Sequence, residues 1–186
     1  SGIGEIGVSE FERTPPPPGY AVVEMKQAGI CGSDLHSYYG KWGQSATHAP
    51  GHETCGVVVE VGDGVTRVRE GDVVAIECFS HCGECRWCRT GHYNHCDNRL
   101  GVHHNQHGGF SEYATAHESG LYLLPKSMSY EAGAMVEPLA VSYRAVALSG
   151  AGHVDRVAVV GGGTIGLLAL AAAKAAGSET LITVKY

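Results

Sequence analysis

Cys82-Gly83-Glu84-Cys85-Arg86-Trp87-Cys88, followed by Cys96, sets four cysteines at the spacing C-x2-C-x2-C-x7-C. Two thiolates one C-x2-C step apart can leave a single tight turn and face the same ion. The excursion Arg89 to His95, with Gly91 at its bend, brings the fourth thiolate back. Zn²⁺ favours four-coordinate, tetrahedral thiolate binding, and four cysteines leave no open position for a substrate. The stretch therefore reads as a closed, structural zinc site. It would stiffen a lobe, about residues 78–100, that has little apolar sequence of its own. The competing readings are two disulfides or four unrelated thiols. Regular clustering of this kind is rare by chance, and disulfides suit secreted chains.

Around this lobe the composition sets bounds. The chain has 186 residues, 44% of them hydrophobic, which permits one large domain or one domain and part of another. Its 27 glycines point to many turns and short strands, and a net charge of −6 gives no basic surface for nucleic acid. No apolar run reaches about 18 residues and no signal peptide opens the chain, so neither membrane nor secretion is expected. Ser1 is not an initiator Met, so the start is read as processed, trimmed or incomplete. Seven cysteines without a signal peptide fit a reducing, cytoplasmic compartment, with Cys55 and Cys78 as free thiols in or near the core.

Upstream of the lobe, residues 1–14 read as strand and connection, closed by the extended Pro15–Pro18 run. Tyr20–Gln27 alternates apolar and polar residues like a half-buried strand. Ser33–Tyr39 fits one helical turn, Gly51–Val61 contains a buried strand, and Val73–Ile76 is another. Downstream, 108–114 is expected to return to strand, and Leu121–Leu124 to add one more. Ser129–Leu148, rich in Ala, Met and Leu, reads as helices. The first part is thus mainly β, and a βαβ unit begins near residue 154.

That unit carries a phosphate-binding pattern. The strand Val157–Val160 runs into Gly161-Gly162-Gly163-Thr164-Ile165-Gly166, and an Ala/Leu helix follows over Leu167–Ala176. In this strand-to-helix context Gly161 permits the tight turn and Gly163 lets a pyrophosphate approach the backbone. Gly166 lets helix and strand pack closely. The helix N-terminus, with Thr164 and Ile165 in its first turn, offers free N–H groups to phosphate. An acidic residue is expected about 20 residues on, to hold the ribose. Lys185 stands near that place instead, and a cation there favours a 2′-phosphate and hence NADP. Otherwise Lys185 faces solvent and the selector is expected beyond residue 186; NAD and NADP both stay open. A second metal-ligand set is dispersed: Cys31, His52, Glu53 and Glu137 supply the S, N and O donors of an open site. Spacing alone cannot bring them together. Read singly, they are a buried thiol, a turn histidine and surface carboxylates.

GICGSDLH from Gly29, PGHE from Pro50, the four-cysteine lobe, EPLAV from Glu137 and the GGGTIG turn occur in this order over essentially the whole chain. Together they resemble the zinc-dependent medium-chain dehydrogenase/reductase family, and its polyol branch of sorbitol, idonate and galactonate dehydrogenase-like enzymes in particular. The resemblance implies an α/β chain with a GroES-like β-rich catalytic domain over residues 1–153. An incomplete Rossmann domain over residues 154–186 would follow. Cys31 and His52 would hold a catalytic zinc, with Glu53 ligating it or lying beside it. Glu137 matches the polyol branch's glutamate on the metal or its water, where classical alcohol dehydrogenases carry cysteine. Cys82, Cys85, Cys88 and Cys96 match the structural site, which makes two zinc ions per chain. Ser33 would take the substrate proton and His36 would end the relay. Asp34 would orient His52 from behind. The implied reaction is zinc-assisted hydride transfer between a secondary alcohol, polyol or sugar acid and NAD(P). A homodimer or homotetramer is implied for a full-length chain.

Only one βαβ unit follows Gly161, whereas a nucleotide-binding sheet normally has about six strands. The chain therefore also admits a second reading, a zinc-stabilised binding module without turnover. Among the remaining residues, Tyr38, Tyr39 and Trp42 are placed at a substrate pocket or in the core. His103, His104 and His107 are placed on a solvated loop or a cleft edge. His81, His92 and His95 are expected to be exposed, and His48, His117 and His153 belong to no motif.

Overall fold

The computed structural model describes residues 2–41, 49–101 and 108–185. Trp42, His48, His103, His104 and His107 lie outside the described residues. The protein forms two compact units, Ser1–Ala134 and Met135–Tyr186.

The first unit is built on strand β1 (Tyr20–Gly29), where the alternating apolar stretch was expected. It pairs antiparallel with β2 (Glu53–Val61) on one side and β6 (Tyr113–His117) on the other. β3 (Val73–Ile76) and β7 (Leu121–Leu123) complete a five-stranded sheet in the order β6-β1-β2-β3-β7. One face of this sheet buries Ala21, Val23, Val58, Val74, Ile76, Ala116 and Leu121, joined by Val68 from a loop. Burying a side chain such as valine or leucine contributes about 1.5–3 kcal/mol, so this cluster dominates the unit's stability. Met25, Val65 and Cys78 pack against its edge, and the Cys55 thiol is fully buried. Neither cysteine is in a disulfide, as expected.

Two strand expectations fail in this unit. Residues 2–14 form no strand; the chain turns at Ile3–Gly4 and is exposed throughout, with Ile6 90% and Val8 103% exposed. A strand needs a neighbouring strand to pair its N–H groups, and this stretch has none. Likewise 108–112 is a turn, and strand begins only at Tyr113. Ser111 Oγ donates to the Tyr113 carbonyl at 2.8 Å there, one of the local side-chain bonds that compete with ladder pairing.

The cysteine lobe leaves the sheet after β3. A short pair, β4 (Phe79–Ser80) with β5 (Leu100–Gly101), closes its base. Between them lie a single helical turn, α2 (Arg86–Arg89), and a 3-10 turn over Tyr93–His95. The first unit also holds helix α1 (Gly32–Tyr38), immediately after β1, and α3 (Tyr130–Ala134).

The second unit contains α4 (Val136–Ser149), β8 (Arg156–Val160), α5 (Thr164–Ala175) and β9 (Glu179–Thr183). β8 and β9 are parallel neighbours, in register from Arg156 opposite Glu179 to Val160 opposite Thr183. Two parallel strands joined by a helix are the βαβ crossover read from the sequence. α4 packs on α5, and Ser142, fully buried, donates through Oγ to the Ile165 carbonyl at 3.1 Å. Among the described residues no helix is long and apolar enough to cross a membrane.

Candidate metal centres

The four lobe cysteines converge, with all their sulfurs within 4.8 Å of one another. Cys82 Sγ lies 3.9 Å from Cys88 Sγ and 3.5 Å from Cys96 Sγ, and Cys85 Sγ lies 3.5 Å from Cys88 Sγ. A tetrahedron with Zn–S bonds of about 2.3 Å has edges of about 3.8 Å, so these separations bracket the required edge. A disulfide needs about 2.05 Å, and none of the seven cysteines is in one. The disulfide reading is thereby excluded.

The electrostatics of the lobe point the same way. The Cys88 and Asp97 backbone N–H groups pull the Cys85 thiol down to about 6. Those of Cys85 and Glu84 lower Cys82. Cys88 is pushed up to about 12, first by desolvation and then by its hydrogen bond with Cys85. Donors aimed at the sulfurs favour thiolates, yet four adjacent thiolates repel one another. A divalent cation at the centre resolves that conflict, and the donor set fits zinc.

The lobe is tied back to the sheet through histidines. His81 N–H donates to Ser119 Oγ at 3.3 Å, and Ser119 Oγ lies 2.9 Å from His117 Nδ1. The His81 ring stacks on Tyr93, with centroids 4.6 Å apart. His81 is thus half-buried rather than exposed, while His92 and His95 lie on the surface as expected.

The second cluster is Cys31, His52 and Glu53, whose ligand atoms also lie within 4.8 Å of one another. Strand register brings them together. Gly29, the last residue of β1, stands opposite Glu53, the first of β2. The chain leaves β1 through Ile30 to Cys31, the N-cap of α1, and enters β2 through His52. Two sequence-distant motifs thus share one end of one strand pair.

Asp34 locks this arrangement. Its Oδ2 accepts the Cys31 N–H at 2.8 Å, and its Oδ1 lies 3.8 Å from His52 Nδ1. His52 Nε2, on the opposite side of the ring, lies 3.5 Å from Ser33 Oγ. The orientation leaves Nε2 as the nitrogen for a metal, with a hydroxyl beside it. Glu53 is only 8% exposed, and its carboxylate makes no side-chain hydrogen bond or ion pair among the described residues. A buried carboxylate in that condition is costly unless a cation or proton joins it. Three mixed S, N and O donors match a zinc site that keeps a position open. His36 is exposed in the last turn of α1. Glu137 belongs to the second unit, in the first turn of α4.

The glycine turn after β8 has the geometry its spacing demands. Gly161 adopts a φ of +109°, in the region glycine alone enters freely. A Cβ on Gly166 would collide with the Gly161 carbonyl oxygen, so helix and turn approach as closely as expected. A Cβ on Gly163 would meet open space, which leaves room for a ligand over the start of α5. Lys185 is exposed, just beyond β9.

One contributor was not read from the sequence. Gly29 lies directly against the Glu53 side chain, and no composition or spacing rule singles it out.

Comparison with known proteins agrees with this arrangement. Residues 17–126, more than half of the chain, match the alcohol dehydrogenase GroES-like domain family. The chain is 39% identical to the sorbitol dehydrogenase of Halalkalibacterium halodurans over 98% of its own length and 53% of that relative. It is 37% identical to the L-threonine 3-dehydrogenase of Pyrococcus horikoshii over 93% of its length and 51% of that relative. Among solved structures it is similar to a Sinorhizobium meliloti 1021 protein described as a zinc-binding dehydrogenase and bound to NADP. The TM-score is 0.86 at 34% identity, covering 98% of this chain and 53% of that one. The chain spans about half the length of the curated relatives it matches. Relatives named for different substrates match almost equally well, which does not single out the polyol branch. The paired metal clusters, the sheet that carries them and the family match together make this chain a member of the zinc-binding alcohol dehydrogenase superfamily.

Proposed function

We propose that these residues carry the catalytic machinery of a zinc- and NAD(P)-dependent dehydrogenase acting on a secondary alcohol, polyol or sugar acid. The observation that carries this reading is the meeting of Cys31, His52 and Glu53 at one strand end, separate from the closed four-sulfur site. A binding module has no use for an open, mixed-donor cluster. Zinc held there supplies a Lewis acid that lowers the pKa of an alcohol oxygen.

The chain's own residues do the rest. Cys31, His52 and Glu53 would hold and orient the ion, and a part for Glu137 rests on the resemblance alone. Ser33 Oγ, 3.5 Å from His52 Nε2, receives the alcohol proton. His36, one turn further along α1 and exposed, passes it towards solvent. The N–H groups at the start of α5, around Gly163, Thr164 and Ile165, cradle the pyrophosphate. Lys185 favours the 2′-phosphate of NADP, which the Sinorhizobium structure contains. Residues 1–153 are assigned to the catalytic domain and 154–186 to the nucleotide-binding domain. The sorbitol and threonine dehydrogenases among the relatives support vicinal hydroxyl or amino alcohols as first substrates to try.

The test is zinc content by elemental analysis after exhaustive dialysis, with NAD⁺ and NADP⁺ reduction by sorbitol and L-threonine, on the intact protein containing these residues. Two zincs per chain are expected, and Cys31→Ser should keep one and lose turnover. Full turnover in Cys31→Ser with unchanged zinc would rule the assignment out. Two zincs without turnover on any alcohol would favour a zinc-stabilised binding module.

A further inference from the structure

We propose that Gly29 is a positioning residue that seats the Glu53 carboxylate on the metal. This rests on reading Cys31, His52 and Glu53 as a metal site, and it names what decides whether Glu53 belongs to it. Gly29 and Glu53 are direct cross-strand partners at the end of the β1–β2 pair. A Cβ added at Gly29 would stand 3.0 Å from Glu53 Cβ and 3.3 Å from Cδ, and closer still to Oε2. The glutamate therefore folds across the bare α-carbon of its partner, and the carboxylate lies where any side chain at 29 would be.

The register makes this unavoidable. Pairing shifts twice, between Val22 and Val23 and again between Met25 and Gln27, where β1 takes back the residue that β2 gained at the first shift. That second shift sets Gly29 opposite Glu53, two residues before Cys31. The close approach of side chain to backbone is the kind glycine alone allows. Glu53 is only 8% exposed, and among the described residues its carboxylate makes no side-chain hydrogen bond or ion pair. Its position is thus set by the space at Gly29, and an ion held with Cys31 and His52 would be its polar partner.

The test is a Co²⁺ titration of the metal-free protein against a competing chelator. The two sites differ in thiolate-to-cobalt absorbance, four sulfurs against one. Gly29→Ala is expected to weaken the mixed site by about 10- to 100-fold, as supporting residues of metal ligands do, leaving the four-sulfur site unchanged. Glu53→Ala should weaken it similarly, and Gly29→Ala/Glu53→Ala should be no weaker than Glu53→Ala alone. Wild-type affinity in Gly29→Ala, or a further equal loss in the double variant, would overturn the role of Gly29. Should Gly29→Ala fail to fold, the double variant is expected to fold, because the colliding carboxyl is gone. Failure of both would place the collision in the strand backbone and overturn the inference. A wild-type protein that takes up one Co²⁺ would instead overturn the metal-site reading itself.

Discussion

The two metal-ligand clusters answer the same chemical demand by opposite routes. In the lobe, four ligands lie within fifteen residues, Cys82 to Cys96, and local turns aim them at one another. Backbone N–H groups from the same loop bond the sulfurs, so ligand and support are written together. In the second cluster, Cys31 and His52 are twenty-one residues apart, and a strand pair carries them to the same place. Their supports, Asp34 and Gly29, come from α1 and β1. The lobe's four sulfurs would fill a tetrahedral ion and close it. The sheet end offers three donors, with Ser33 Oγ beside His52 Nε2. A local site can be filled to saturation for stability, whereas a site assembled from a sheet can hold ligands apart and keep room for a substrate.

This contrast predicts a division of labour. Cys88→Ser should cost the lobe its ion and lower Tm by about 10 °C. At about 2–4 °C per kcal/mol for a protein of this size, that is roughly 3–5 kcal/mol. Cys31→Ser should shift Tm by no more than about 2 °C, because the core under the sheet does not depend on it. Thermal unfolding of both variants, each with its zinc content, decides the matter. Equal Tm losses would erase the distinction between a structural and a working site.

A smaller effect concerns the tether between lobe and sheet. Burial lowers the pKa of His117 below its usual 6.5, and Glu118 beside it only partly opposes this. A histidine held neutral in the folded protein contributes stability above about pH 6.5. That contribution is lost as the pH falls through the lowered folded value, because the unfolded chain takes up the proton first. Neutral Nδ1 also accepts the Ser119 N–H at 3.2 Å, and protonation ends that bond. Tm should therefore drop between pH 7.5 and 5.5. His117→Asn, whose Oδ1 can replace Nδ1 as acceptor, should remove this part of the drop. An identical pH profile in the variant would place the sensitivity in the metal ligands.

The smallest effect should leave both metals alone. Thr54 follows Glu53 on β2, is 1% exposed, and its Oγ1 has no hydrogen-bond partner among the described residues. A buried unsatisfied hydroxyl costs about 1–3 kcal/mol, so Thr54→Val should raise stability by about 1 kcal/mol. Two zincs per chain should remain. A lower Tm would reveal a partner for the hydroxyl and join Thr54 to the site's supports.

The main elements were legible because their patterns are local. The β1 alternation, the four-residue strand Val73–Ile76 and the glycine turn before α5 stand where the sequence places them. Failures came where a local pattern needs a distant partner. Residues 2–14 find no strand to pair with, 108–112 turn on the bonds of Ser111, and His81 is covered by Tyr93. The domain assignment and the role of Glu137 rest on resemblance.

By itself the sequence determined the four-cysteine site, since ligand spacing and turn geometry are short-range properties. It also determined the β-rich part, the βαβ start and the residue types able to form a second site. Only the tertiary structure decided that Cys31, His52 and Glu53 meet, because that depends on which residue of β1 lies opposite which residue of β2. A shift of one position in that register would turn the glutamate to the other face. The space at Gly29 is likewise a property of the pair, absent from either strand alone.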